Sequence, residues 1–361
     1  MVYSFTPERP GTFWYHGHFH EQYPDGLFGP LLVTGPADAA AAAAGHSDCV
    51  APADEWTFMA HDWYNVPVSQ LIPAYLSPAS GGDEPMPDAF RVNNLVSGGA
   101  LSVTARRGGG PVRLRLINAA AFSMYAFSID GLPLTLVELD GTPVEPMDLP
   151  YIVLNVAQRA SVILDFSRMH PDVADSAALW IRMDAMPEMY PTYDATAPDL
   201  GLRGTAGGLP LDTHWTGVLR FAGEGSASVL PSYAAPPVLR LAPPAETNLL
   251  AARPVPAERA PEPSQRIYME VVFAADASGV NRAYINGATH PGASPVALAV
   301  PMLHTYSTLE GGPLSVPETL NGTLDGSATT PFLLPHGRVI EVMINNTVRA
   351  VGCSAPPLPH S

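Results

Sequence analysis

The run Gly11-Thr12-Phe13-Trp14-Tyr15-His16-Gly17-His18 constrains this chain more than any other segment. Phe13 to His18 reads as a β-strand, and Leu27 to Thr34 reads as a second one beyond the turn dipeptide Asp25-Gly26. Successive side chains of a strand point to opposite faces, so His16 and His18 fall on one face, about 7 Å apart at Cα. Two neutral imidazoles held that way can each ligate a different metal ion of one cluster, and imidazole suits copper and zinc. The alternative is a pair of surface histidines at a strand end.

The rest of the chain points to an all-β architecture. Forty prolines and 31 glycines punctuate it, and long amphipathic periods are scarce. Its 361 residues exceed one ordinary domain and suggest two or three, and 47% hydrophobic content is enough for packed cores. Only 18 Lys and Arg oppose 34 Asp and Glu, a net charge of -16, which argues against nucleic acid or an anionic membrane as partner. No apolar stretch approaches the roughly 20 residues of a membrane span. Met1 to Arg9 lack the basic start and apolar core of a signal peptide. Two cysteines, Cys49 and Cys353, are too few for a disulfide framework.

Extended through Gln22, Asp25, Gly26, Leu27 and Gly29, the opening string resembles the second copper signature of multicopper oxidases, found in the first cupredoxin domain of laccases and ferroxidases. The resemblance implies tandem cupredoxin-like domains, each a Greek-key β-sandwich, with the first and third incomplete here. It implies that His16 and His18 bind copper, one ion each of the type 3 pair in a trinuclear cluster. The family acid of this segment, which relays protons to the oxygen-binding cluster, falls on Asp25. The competing reading of Asp25 is a turn residue before Gly26. His20 continues the same face but is not a family ligand.

Residues 1–36 then correspond to the C-terminal part of cupredoxin domain 1, with a further strand at Tyr3 to Phe5, and residues 37–54 to a linker of Ala, Gly, Ser and Asp. Residues 55–223 have the length of a complete cupredoxin domain 2, with strands at Val112 to Ile117 and Leu134 to Leu139. Here Asp62-Trp63-Tyr64, Glu84-Pro85-Met86-Pro87, Val92-Asn93-Asn94, Glu138-Leu139-Asp140-Gly141 and Val156-Ala157-Gln158-Arg159 resemble the fungal-type laccases and iron-oxidising members. These pieces read as scaffold, with Arg115 and Arg159 as buried or edge hydrogen-bond donors. Residues 224–266 form a Pro- and Ala-rich linker. Residues 267–346 correspond to the N-terminal part of cupredoxin domain 3, with strands at Ile267 to Phe273, Tyr284 to Asn286 and Val339 to Asn346. Residues 347–361 read as an out-of-frame tail: codons allowed for Pro356 to His360, read one base later, spell His-Pro-Phe-His.

The resemblance also implies a function and what it needs. A working family member carries four histidine strings, two of which supply the type 1 copper and close the cluster. Only one is present, and neither a His-Cys-His nor a His-x-Trp-His-Gly string occurs. The chain as written is therefore expected to be inactive. Its intact parent is expected to be a secreted, extracellular laccase-like oxidase that couples one-electron oxidation of phenolic or similar small reductants to four-electron reduction of dioxygen to water. The alternatives are an iron-oxidising ferroxidase and a non-catalytic cupredoxin-fold scaffold or defective gene product. Asp130 occupies a position where ferroxidases bind iron but laccases often carry the same acid. Apolar residues around Ala251 and Ala252, in place of an acidic pair, favour the laccase reading. The lone His61, His170, His214, His290, His304 and His336 read as surface or satisfied residues. Met183, Met186 and Met189 offer either a soft copper patch or plain packing.

Overall fold

Strands dominate, as alternating apolar residues and frequent turn formers require. The computed structural model describes residues 2, 4–35, 54–98, 100–173, 177–186, 189–190, 213–222, 262–287, 334 and 336–346. Both cysteines, His290, His304, Ala251, Ala252, most of both linkers and the tail lie outside the described residues. Two units can be distinguished: Met1–Ala74 with Glu84–Glu258, and Tyr75–Asp83 with Arg259–Ser361.

The first unit opens with an antiparallel hairpin, β1 (Gly11–His16) and β2 (Phe28–Val33), in register from Gly11 opposite Val33 to His16 opposite Phe28. Both strands end earlier than the sequence suggested. After His16 the chain makes one more cross-bond, from Gly17 N to Leu27 O at 2.7 Å, and then turns back through Gln22. Ser4 and Phe5, expected in a strand, lie in none, and Phe5 is exposed. The motif glycines have packing reasons. A Cβ at Gly29 would fall 2.4 Å from the Tyr15 hydroxyl, and one at Gly17 would fall 2.8 Å from Gln22 Cβ.

The hairpin lies on a two-sheet sandwich. One sheet has six strands in the order β4 (Ala89–Val92), β3 (Asp54–Trp63), β6 (Val112–Asn118), β11 (Arg159–Leu164), β8 (Leu134–Leu139), β9 (Thr142–Leu149). The other has five, in the order β10 (Ile152–Leu154), β7 (Tyr125–Ile129), β12 (Ala178–Ala185), β13 (His214–Phe221), β5 (Ser102–Ala105). Pairing is antiparallel except for β3 with β6 and β5 with β13. The edge strand β9 carries Pro143 and Pro146, which lack the amide another strand would need.

Period-two alternation decides which side chains fill the core. Leu114 and Leu116 of β6, Leu134 and Leu136 of β8, and Phe127, Ile181 and Trp215 from the opposite sheet close the interior. The other face of β6 presents Arg113, Arg115 and Ile117, and these are buried too, because β1 packs across β6 and β11. Trp14 and Phe28 of the hairpin cover Met59, Ile117 and Ala119. Phe13 rests against the Asp140-Gly141 turn between β8 and β9, where both residues have positive φ, +48° and +73°. A Cβ at Gly141 would sit 2.5 Å from the Phe13 ring.

The second unit has a three-stranded sheet, β15 (Asn281–Ile285), β14 (Gln265–Ala275) and β16 (Ile340–Asn346), antiparallel between β15 and β14 and parallel between β14 and β16. Tyr268, Phe273, Ile285, Val342 and Ile344 of this sheet are exposed. No helix among the described residues is long and apolar enough to cross a membrane.

Candidate metal centre

His16 closes β1, and His18 follows it two residues on, both exposed at the end of the hairpin. Their ring centroids are 5.6 Å apart and tilted by 32°. His16 Nδ1 lies 2.9 Å from Gly17 O; a carbonyl only accepts, so Nδ1 carries the proton and Nε2 keeps its lone pair. The indole of Trp14, two residues back on the same face, stacks on His16 at 4.5 Å. Among the described residues no group of three or more His, Cys, Asp or Glu side chains converges. The two imidazoles fit a soft or borderline cation as a partial ligand set, open to donors from elsewhere.

Tyr23 is a site residue that motif reading missed. Its ring lies 5.0 Å from His16 and 5.3 Å from Trp14, and its hydroxyl donates to Ala120 O, tying the histidine loop to the sandwich. Burial, reinforced by the negative charge of Asp62, pushes the Tyr23 phenol well above its usual range. The only sequence signal was an aromatic residue inside a polar turn. Asp25 lies on the same loop, and its Oδ1 accepts from Val68 N at 2.8 Å. It is thus a tether between two loops, while remaining exposed.

Beneath Tyr23 lies Asp62, wholly buried. Its carboxylate accepts from the amides of Ala121, Phe122 and Ser123 and from the hydroxyls of Ser123 and Tyr125. Burial raises its pKa, partly offset by those donors. Ser123 also contacts the Tyr190 hydroxyl at 2.7 Å. This network fixes the Ala119–Tyr125 turn that receives Tyr23.

The remaining described histidines are satisfied or exposed. His61 Nδ1 donates to Asp62 O at 2.9 Å, and its Nε2 lies 3.0 Å from Asn94 Oδ1. His214 pairs with Asp184 at 2.9 Å across β12 and β13, and His170 and His336 are exposed. Met183 lies in the core and Met186 packs against Ala126 and Val153, so their spacing serves packing. Asp130 is engaged by Arg182 through both oxygens, at 2.7 and 2.6 Å.

The hairpin and the two-sheet sandwich together have a cupredoxin-like fold. The fold is similar to that of Fet3p, a multicopper oxidase that functions in iron import, with a TM-score of 0.69 at 22% identity over 94% of this chain and 55% of that one. It is also similar to the laccase from Botrytis aclada, with a TM-score of 0.54 at 22% identity over 77% of this chain and 46% of that one. Family models described as Multicopper oxidase match residues 1–38 and 54–186. The iron transport multicopper oxidase fetC of Epichloe festucae is 28% identical over 96% of this chain and 48% of its own length. Laccase-2 of Trametes villosa is 28% identical over 100% of this chain and 58% of its own. Laccase-2 of Fomitopsis schrenkii is 34% identical over 56% of this chain and 36% of its own. The chain belongs to the multicopper oxidase family, whose members use copper as cofactor. It spans about half the length of the curated relatives it matches.

Proposed function

We infer that this chain is part of a laccase-like oxidase that takes electrons singly from a phenolic or similar small reductant and delivers four to dioxygen, making water. The observation that carries this reading is the pair of imidazoles at the end of β1, with the His16 Nδ1 proton committed to Gly17 O. His16 and His18 would each hold one copper of a type 3 pair through a ring nitrogen. Copper bound there supplies one-electron redox chemistry and a place for dioxygen. Trp14 and Tyr23 flank the His16 ring and fix its plane. Asp25, anchored by Val68 N, holds an exposed carboxylate on the histidine loop and serves as the proton relay. The hairpin belongs to a first sandwich and the β14 sheet to a third.

The grip of Arg182 on both oxygens of Asp130 supports an organic reductant over iron, since a carboxylate already neutralised is a poor iron ligand. The near-complete coverage by an iron transport oxidase favours iron oxidation as the second reading. As a laccase-like protein the intact enzyme works outside the cell. Neither Cys49 nor Cys353 sits in a His-Cys-His string, so the 361-residue chain by itself has no blue copper and does not turn over oxygen.

Copper per chain and the absorption spectrum test this, on the purified protein and on a His16→Ala/His18→Ala variant. Copper bound by the parent, lost in the variant, without an intense blue band, is the expected result. Equal copper in both would overturn the ligand assignment and favour a scaffold role. An intense blue band would overturn the inactivity.

A further inference from the structure

The histidine hairpin has only two strands, and a two-stranded ribbon is marginal by itself. Its hold on the sandwich concentrates at one residue. Thr12 stands opposite Leu32, and because the Gly17 N to Leu27 O bond sets the alternation of the antiparallel ladder, this is a non-hydrogen-bonded pair whose main-chain groups point away from β2. Its N–H donates to Glu138 Oε1 at 2.7 Å, and its carbonyl accepts from Arg159 Nε at 3.2 Å. Its hydroxyl accepts from Arg115 at 2.9 Å and lies 3.0 Å from Ser161 Oγ. Ser161 spends its one proton on Glu138 Oε2, at 3.1 Å, so the Thr12 hydroxyl proton must point to Ser161. The bonds therefore close a directed ring from Thr12 N–H to Glu138, and from Arg115 through Thr12 and Ser161 back to Glu138. Thr12, Arg115 and Ser161 are all at 0% exposure. Arg115 is held in turn by Glu55, with two bonds of 3.1 Å.

We propose that Thr12 is the positioning residue of the metal site: it locks β1 to the six-stranded sheet and thereby fixes where His16 and His18, four and six residues on, present their ring nitrogens. A one-residue slip of β1 would bring Phe13 to the ring of polar groups and turn both histidines to the other face, so a buried, fully satisfied threonine specifies register as an apolar residue cannot. The consequence for metal rests on the copper reading above; the anchoring does not.

The test compares Thr12→Val, which replaces the hydroxyl by a methyl group of nearly the same shape, with Thr12→Ser, which keeps the hydroxyl, and with Ile181→Val as a core-weakened control. Amide exchange of residues 11–18 is followed by mass spectrometry on the metal-free chain, and copper(II) ions are then titrated into the same samples. Thr12→Val should speed exchange in the hairpin about tenfold, the scale of one net hydrogen bond, and weaken copper uptake by a similar factor. The serine variant should recover both, and Ile181→Val should leave hairpin exchange unchanged. Unchanged exchange in Thr12→Val, or a rise shared equally by the whole sandwich, would overturn the anchor. Histidine-independent copper uptake by the parent would overturn the copper reading, while the exchange comparison would still decide the anchor.

Discussion

Beneath the hairpin the outer face of the six-stranded sheet is buried as its inner face is, but by opposite chemistry. Inward, Leu114, Leu116, Leu134, Leu136 and Val162 pack an apolar interior. Outward, the same strands supply Arg113, Arg115, Glu138 and Ser161, covered by a hairpin that contributes Thr12. An apolar face is held by area and tolerates sliding or repacking of similar volumes. A polar face under cover is held by direction, and each group must meet its partner. The difference teaches how a small, otherwise marginal ribbon can be fixed in register. The sheet uses its inner face for stability and its outer face for placement.

Breaking either face should cost the most. Glu138→Ala removes the buried acid that Arg113, 2.5 Å away, and Arg115 share, leaving them only the more exposed Glu55, and should lower the unfolding free energy by about 3 kcal/mol in urea titrations. Leu136→Ala on the inner face opens a cavity and should cost about 2–4 kcal/mol, with no selective loosening of the hairpin. Equal hairpin exchange in the two variants would erase the distinction between the faces. Gly141→Ala probes the rim, where positive φ and the Phe13 ring both oppose a methyl group. About 1–2 kcal/mol is expected there, read from the urea midpoint.

The inner face was legible because its rule is local. Alternation in Val112 to Ile117 and Leu134 to Leu139 located β6 and β8, and the histidine string located the end of the hairpin. Arg115 and Arg159 could be read as buried donors, but their acceptors could not, since Thr12 is 103 and 147 positions away from them. Thr12 carries no signal of its own beyond a polar β-branched residue in a strand. Tyr23 was invisible for the same reason, its acceptor being 97 residues distant. Ser4 and Phe5, expected in a strand and found in none, show the converse. Local apolar pattern proposes a strand, but only a paired neighbour makes one.

The smallest expected effect lies where hairpin and outer face meet, at His61. Its ring packs 5.0 Å from Phe28 of β2, beside Asp62, Arg91 and Asn94. Burial lowers its pKa below the ordinary 6.5, outweighing the raising influence of its contacts with Asp62 O and Asn94. Below pH 6.5 the unfolded chain therefore takes up a proton that the folded chain refuses. Stability should fall as pH drops through this range and level off once the folded imidazole also protonates. Asp62, raised by burial, acts with the opposite sign: it favours folding most below 3.8, and its contribution is lost as pH rises through its folded pKa. Urea midpoints at pH 8 and pH 5 for the parent and for His61→Gln separate the two, because the variant keeps Asp62. A larger acid loss in the parent is expected. A parent that gains on acidification relative to His61→Gln would mean that the imidazolium is welcomed by Asp62 O and Asn94. The rim of the outer face would then accommodate a buried charge as its centre does at Arg115, and direction rather than desolvation would rule the whole of that face.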